Sequence, residues 1–395
     1  MKNIVLAFSA ALALTACSTQ SGTKQAQPVP VEKNQPSPQS DAARHTKMPV
    51  LVQADGTYST VPIEKDTVVV KVLQTTVDSL GDFPTVKDGL NHNLKHMEEM
   101  ADKACNTGKK PDFLLYHEFP LTGYSSGSRA EKLNFTVEVP GPETERLGKI
   151  AKACDTYIVF GTYATDADWP NHILSVNAVI GRDGALKKAF WKSRNIKRIY
   201  EDREIMTTTI EAVRDKYREK YGAEEEFPIL QTEFGNIAVS TVQNDPFIFA
   251  AFAMRGAEIM IRTATLFNDF DVQATAAQNN FYSTMTNIAF DIPGYNAGES
   301  IIVGPNGHLL AKSESKTEDD IIEAEIPIKE FRKGRRIPNF AYEMTTPVMD
   351  QYVQEFPINH LDIASEDLPQ TGAEMKELME GVSRFSGNKT QDLSR

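Results

Sequence analysis

The chain has 395 residues, 41% of them apolar, enough to bury one large core or two smaller ones. Its net charge of −12 argues against nucleic acid as a partner and against polybasic adhesion to anionic lipid. No stretch approaches the roughly 18 uninterrupted apolar residues of a membrane-spanning helix.

The chain opens with Lys2, an apolar run too short to span a bilayer, and the small-residue stretch Leu14-Thr15-Ala16-Cys17. That order reads as a secretory signal. The stretch resembles the lipobox of bacterial lipoproteins, which implies that residues 1–16 are removed and that Cys17 is acylated and inserted in a lipid bilayer. An ordinary signal with an incidental cysteine is the alternative. Ser18 in place of Asp implies, by the same resemblance, an outer-membrane protein of the cell envelope facing the periplasm. Residues 17–60 are rich in Ser, Gln, Pro, Thr and Lys, and are expected to form a disordered tether.

Strand and helix patterns then alternate over residues 66–332. Val68 to Leu73 is β-branched and apolar, as a buried strand is. Val86, Leu90, Leu94, Met97 and Met100 recur at helical spacing, with Thr85 as N-cap and Gly108 past the end. Phe113 to Tyr116 is a second strand, Pro142 to Ala153 a helix, and Tyr157 to Tyr163 a third strand. Asp202 to Glu226 is a charge-rich helical insertion. Ile237 to Val242 (strand), Pro246 to Arg255 (helix) and Glu258 to Ile261 (strand) continue the alternation, which defines an α/β domain. The basic cluster Lys329 to Arg336 reads as a solvated loop. Residues 333–395 form an extension that turns polar from about Ser365, apart from the stripe Met375, Leu378 and Met379.

Glu118 follows an apolar strand directly, the place where α/β proteins put ligands and catalytic groups. Capping the next turn or pairing with Arg129 would equally explain it. His117 should point the other way, because side chains alternate along extended chain. His92 and His96 stand four apart, a spacing that can hold a metal, but no acidic or thiol ligand accompanies them in a known motif. A solvent face explains them better, and no metal or other cofactor is expected.

Four segments in order carry a wider resemblance. They are the Glu118 segment; Phe190-Trp191-Lys192; the passage Phe252-Ala253-Met254-Arg255-Gly256-Ala257-Glu258 through Arg262; and Ala277 to Tyr282 with Gly298 to Gly307. Together they resemble the nitrilase, or carbon-nitrogen hydrolase, superfamily, most of all its aliphatic amidase and formamidase branch. The resemblance implies a four-layer α-β-β-α sandwich, commonly homodimeric through the helix layer that follows the nucleophile strand, acting on a small amide. It makes Glu118 the general base, Lys192 the cation that stabilises the oxyanion, and Glu201 or Glu204 a supporting carboxylate.

The family's cysteine nucleophile should end the strand before Pro246, yet that segment reads Val239-Ser240-Thr241-Val242-Gln243-Asn244-Asp245. Counting back from Pro246 puts Ser240 at the position; counting forward from Gly235 puts Val242 or Gln243 there. An alcohol is much harder to ionise than a thiol, whose ordinary pKa is about 8.5. Two readings follow: an amide hydrolase with an unorthodox nucleophile, or an inactive relative that binds a ligand or serves assembly. Cys105 and Cys154 fall at the ends of helices expected on one sheet face. They are either a disulfide, as an oxidising compartment permits, or two free thiols, as the usual spacing of helix ends favours.

Overall fold

The computed structural model describes residues 52–123, 129–195, 207–290, 297–355 and Glu374. All lie in one compact unit, Thr46–Arg395. Cys17, Glu201, Glu204 and the Met375–Met379 stripe fall outside the described residues.

Two sheets stack face to face. The first contains β1 (Val68–Gln74), β2 (Phe113–Leu115), β3 (Val137–Glu138), β4 (Tyr157–Thr165), β5 (Leu174–Ile180), β6 (Leu186–Trp191) and β13 (Asp320–Ile326). Its order is β13-β1-β2-β4-β5-β6, with β3 on β4 and with β1, β2 and β4 parallel. The second contains β7 (Leu230–Thr232), β8 (Gly235–Ser240), β9 (Ile259–Thr263), β10 (Tyr282–Thr286), β11 (Ile301–Val303) and β12 (Leu309–Lys312). Its order is β12-β11-β10-β9-β8-β7, with β8, β9 and β10 parallel.

Alternation along the strands builds the layers. Val68, Val70, Val72, Phe113, Leu115 and Val159 of the first sheet meet Ile237, Val239, Ile259, Ile261 and Ile302 of the second. Leu114, Ile158 and Ala178 face outward onto α1 (Val86–Asn106) and, beyond the short α2 (Arg129–Leu133), onto α3 (Pro142–Cys154). On the other side Ala238, Val242, Met260 and Met285 face α5 (Pro246–Met254) and α6 (Asp269–Asn279). The remaining helices are α4 (Arg214–Tyr221), α7 (Ile328–Gly334) and α8 (Tyr342–Glu355). Helices outside, two sheets inside: this is the expected α-β-β-α sandwich. Among the described residues no helix is long and apolar enough to cross a membrane.

The signals for α1 act as read. Thr85 Oγ1 accepts the Asp88 N–H at 3.1 Å and starts the helix. At its far end the buried Lys71 ammonium donates to the Ala104 carbonyl at 2.9 Å, a cation set against the negative end of the helix dipole.

Three expectations need correction. Cys105 and Cys154 are joined in a disulfide, because the ends of α1 and α3 converge to a Cα–Cα distance of 6.0 Å, within bridging range. Most of the Lys329 to Arg336 cluster is helical, in α7 (Ile328–Gly334), and it is packed on the domain instead of forming a solvated loop. Arg332 forms a two-pronged bond to the fully buried Glu258 at 2.8 and 2.7 Å, and Arg335 is buried against the Tyr58 ring. Ordered packing also starts before residue 66: the Tyr58 hydroxyl donates to Glu258 at 2.8 Å, and Asn236 Nδ2 donates to the Ser59 carbonyl at 2.8 Å.

Candidate active site

The parallel strands of both sheets end on the same side of the space between them, and there the apolar filling stops. After β2 the chain leaves its sheet, and the Glu118 N–H donates to the Ala264 carbonyl just past β9 at 3.4 Å. Gly161 makes the crossing possible: a Cβ there would sit 2.3 Å from the Glu118 carbonyl oxygen.

Glu118 is buried, and its Oε1 accepts from Lys192 Nζ at 3.0 Å. Its Oε2 accepts from the Thr265 hydroxyl at 2.5 Å. Both carboxylate oxygens are therefore held, and the acid is ion-paired instead of capping a turn. Arg129 turns elsewhere, donating to the Asn171 carbonyl. Lys192 continues β6, where its N–H donates to the Ser175 carbonyl at 2.9 Å. It follows Phe190 by two residues, so it shares that residue's face between the sheets.

His117 does point away from Glu118. Its Nδ1 accepts the Phe119 N–H at 3.2 Å, so the ring proton sits on Nε2 and is donated to Thr75 Oγ1 at 3.0 Å. Complete burial pushes its pKa down to about 3, which keeps the ring neutral. His92 and His96 pair with Asp78 and Asp319 at 2.9 and 3.0 Å, and no metal-holding cluster occurs among the described residues.

Ser240 ends β8, beside Arg262 in the parallel ladder. Its hydroxyl accepts the Val242 N–H at 3.2 Å. Ala238 and Val242 pack on the helix side while Ile237 and Val239 pack between the sheets, so Ser240 sits on the helix side and Thr241 between the sheets. The loop is held from below by Arg262, fully buried against the Phe249 ring, which donates to the Val242 carbonyl at 2.8 Å and to Asp271 at 2.5 Å. It is held from the Lys192 side by Arg194, which donates to Asp245 at 2.6 Å; Asp245 in turn caps α5. Asn244 takes a positive φ of 54° in the turn, a conformation asparagine tolerates. None of the described cysteines lies on these strand ends, since Cys105 and Cys154 are bonded in the outer layer.

Several site groups carried no motif. Thr265 lies three residues beyond the Arg262 passage. Asn177 Oδ1 accepts the Thr263 hydroxyl at 2.6 Å and joins the two sheets. The insertion, described from residue 207, is less superficial than its charge suggests. Tyr217 and Tyr221 of α4 pack against Trp191, next to Lys192, and Trp169 Nε1 donates to the Tyr221 hydroxyl at 2.9 Å. Aromatic spacing within 214–221 was the available sign.

Residues 82–336, well over half of the chain, match the carbon-nitrogen hydrolase family. An omega-amidase of Xenopus tropicalis is 24% identical over 260 residues, 62% of this chain and 85% of that protein. A chloroplastic omega-amidase of Arabidopsis thaliana is 26% identical over 263 residues, 63% of this chain and 68% of that protein. Among solved structures, an amidase from Nesterenkonia sp. AN1 superposes with a TM-score of 0.51 at 18% identity, over 71% of this chain and 99% of the other. Another structure of that amidase carries the acetamide moiety of fluoroacetamide on its active-site cysteine.

Proposed function

Because this chain belongs to the carbon-nitrogen hydrolase family, we propose that it hydrolyses a small amide at the Glu118–Lys192 pair, as a lipoprotein of the bacterial envelope. The observation that carries the reading is that pair: a buried carboxylate and ammonium 3.0 Å apart where the parallel strands of both sheets end. Glu118 is the base that takes the nucleophile's proton and later activates water. Lys192 neutralises the oxyanion formed on the carbonyl oxygen. By the count back from Pro246, Ser240 stands at the position of the family's cysteine and supplies the hydroxyl that attacks. This requires the turn of residues 240–245 to rearrange, because a rotamer change alone does not carry a side chain from the helix face of β8 to Glu118. Glu201 is the supporting carboxylate.

The placement in the envelope rests on the Leu14 to Cys17 stretch and is supported by the Cys105–Cys154 bond, since disulfides persist in oxidising compartments. Acylated Cys17 holds the chain to the outer membrane, facing the periplasm. A homodimer through the α5–α6 layer is supported by Phe247 and Phe270, 64% and 75% exposed at the starts of those helices.

One observation favours a second reading, an inactive relative that binds an amide without cleaving it. The Ser240 hydroxyl is turned from the pair, and no thiol replaces it on the described strand ends. Ammonia release from formamide, acetamide and propionamide separates the two. In an enzyme, Glu118→Ala and Lys192→Ala abolish release and Ser240→Ala removes it if that hydroxyl attacks. Silence in the parent, with activity gained in Ser240→Cys, would instead show a site lacking only its nucleophile.

A further inference from the structure

Four polar groups on the inner faces of the sheets have no hydrogen-bond partner among the described residues. Thr284 Oγ1 lies in the middle of β10 beside Ile261, and three lie elsewhere: Ser175 Oγ, Asn177 Nδ2 and Thr241 Oγ1. Their residues are at most 2% exposed. The latter three lie at the level of the Glu118–Lys192 pair. Ser175 accepts the backbone N–H of Lys192. Asn177 is in register with Gly161, over which the Glu118 backbone crosses. Thr241 follows Ser240, which ends β8 as the ladder partner of Arg262, and Thr263 follows Arg262 on β9, its hydroxyl bonding Asn177 across the gap. Neighbouring strands run about 4.8 Å apart, so the ladder extended by one residue past β8 sets Thr241 next to Thr263, the partner of Asn177.

Buried polar groups normally find partners, and three adjacent exceptions beside a buried ion pair mark a place that something else completes. We propose that Asn177, Ser175 and Thr241 form the recognition cradle for a small primary amide lying against Glu118 and Lys192. This rests on the amide reading of the site, though not on turnover. Asn177 Nδ2 donates to the amide carbonyl oxygen, and the two hydroxyls accept from its NH2 group. A carboxylate of the same size fits worse, because it would meet the Glu118 anion and offers the hydroxyls no donor. Thr241 thereby has a role distinct from that of Ser240: it holds the ligand.

The test is calorimetric titration of propionamide into the full chain in detergent, for the parent, Thr241→Val and Thr241→Ser, with thermal melting of each. Thr241→Val keeps the shape and removes only a hydroxyl without a partner. It should therefore melt no lower than the parent while binding about tenfold more weakly. Thr241→Ser should keep the parent's affinity. Equal affinity in Thr241→Val, no binding of propionamide to the parent, or a lowered melting temperature in Thr241→Val that tracks its weaker binding would each overturn the cradle. Binding with the expected pattern but no ammonia released would remove the hydrolytic reading and leave the cradle standing.

Discussion

The space between the two sheets is built differently at its two ends. At one, Phe113 stacks on Tyr157 at 5.4 Å and both meet the Phe234 ring edge-on at 6.0 Å, with the buried aliphatic side chains of both sheets around them. At the other, Glu118, Lys192, Thr263, Thr265 and Asn177 are linked by hydrogen bonds, and three neighbouring groups are left without partners. The same pleated surfaces supply both. What changes is residue type along the strands: the parallel ones run from apolar at their starts to polar at their carboxyl ends, and antiparallel β5 runs the other way, with Ser175 and Asn177 near its start. The apolar end holds the sheets together, and the polar end keeps hydrogen-bonding capacity that the fold itself does not use.

Breaking the apolar end should cost most. Phe234→Ala removes a fully buried ring from between the sheets and is expected to lower stability by about 4 kcal/mol, read from denaturant unfolding, with little change in ligand affinity under native conditions. A loss under about 1 kcal/mol would mean that this end is not the clamp described.

At the polar end the comparison sharpens through a pair of variants. Lys192→Met leaves Glu118 buried without its cation and should cost about 3 kcal/mol. Glu118→Gln combined with Lys192→Met removes both charges and should recover most of that loss, while neither restores ammonia release. If the double variant is no more stable than the single one, the cost belongs to packing and not to the stranded charge.

Much of this was legible in the sequence, and the two ends differ in that respect too. The strands that make the apolar end announce themselves by β-branched runs, and the cap of α1 by Thr85. Glu118 and Lys192 were found through segments with a known order. Thr265 and Asn177 were not, because a lone Thr or Asn in or just past a strand carries no spacing signal; its meaning comes from a neighbour on the other sheet. The choice between disulfide and free thiols at Cys105 and Cys154 stayed open, and the Arg332–Glu258 pair was missed, for a related reason. Both depend on distances between elements far apart in the chain, which periodicity within one element does not report.

His117, one residue from Glu118, gives the smallest effect and the cleanest sign. Burial lowers its folded pKa to about 3, whereas the unfolded chain protonates near the ordinary value of 6.5. Below pH 6.5 the unfolded state therefore binds the extra proton, and stability falls as pH falls, continuing down to the folded pKa. Between pH 6.5 and 5 that amounts to about 2 kcal/mol for one residue. His172, also lowered by burial, acts in the same direction. His96 does not oppose them in this window: its bond to Asp319 raises its folded pKa, so its contribution is already complete below 6.5 and is lost only as pH rises. The depressed carboxylates, Asp155 beside Arg182 among them, act only below their ordinary range near 3.8. Unfolding free energies of the parent and of His117→Gln at pH 6.5 and 5 isolate the group. The variant should lose less stability over that interval by about 2 kcal/mol, since glutamine can accept the Phe119 N–H but takes no proton. An unchanged difference would mean that the imidazole is reached by water in the folded protein, and that the polar end is wetter beside β1 than its burial indicates.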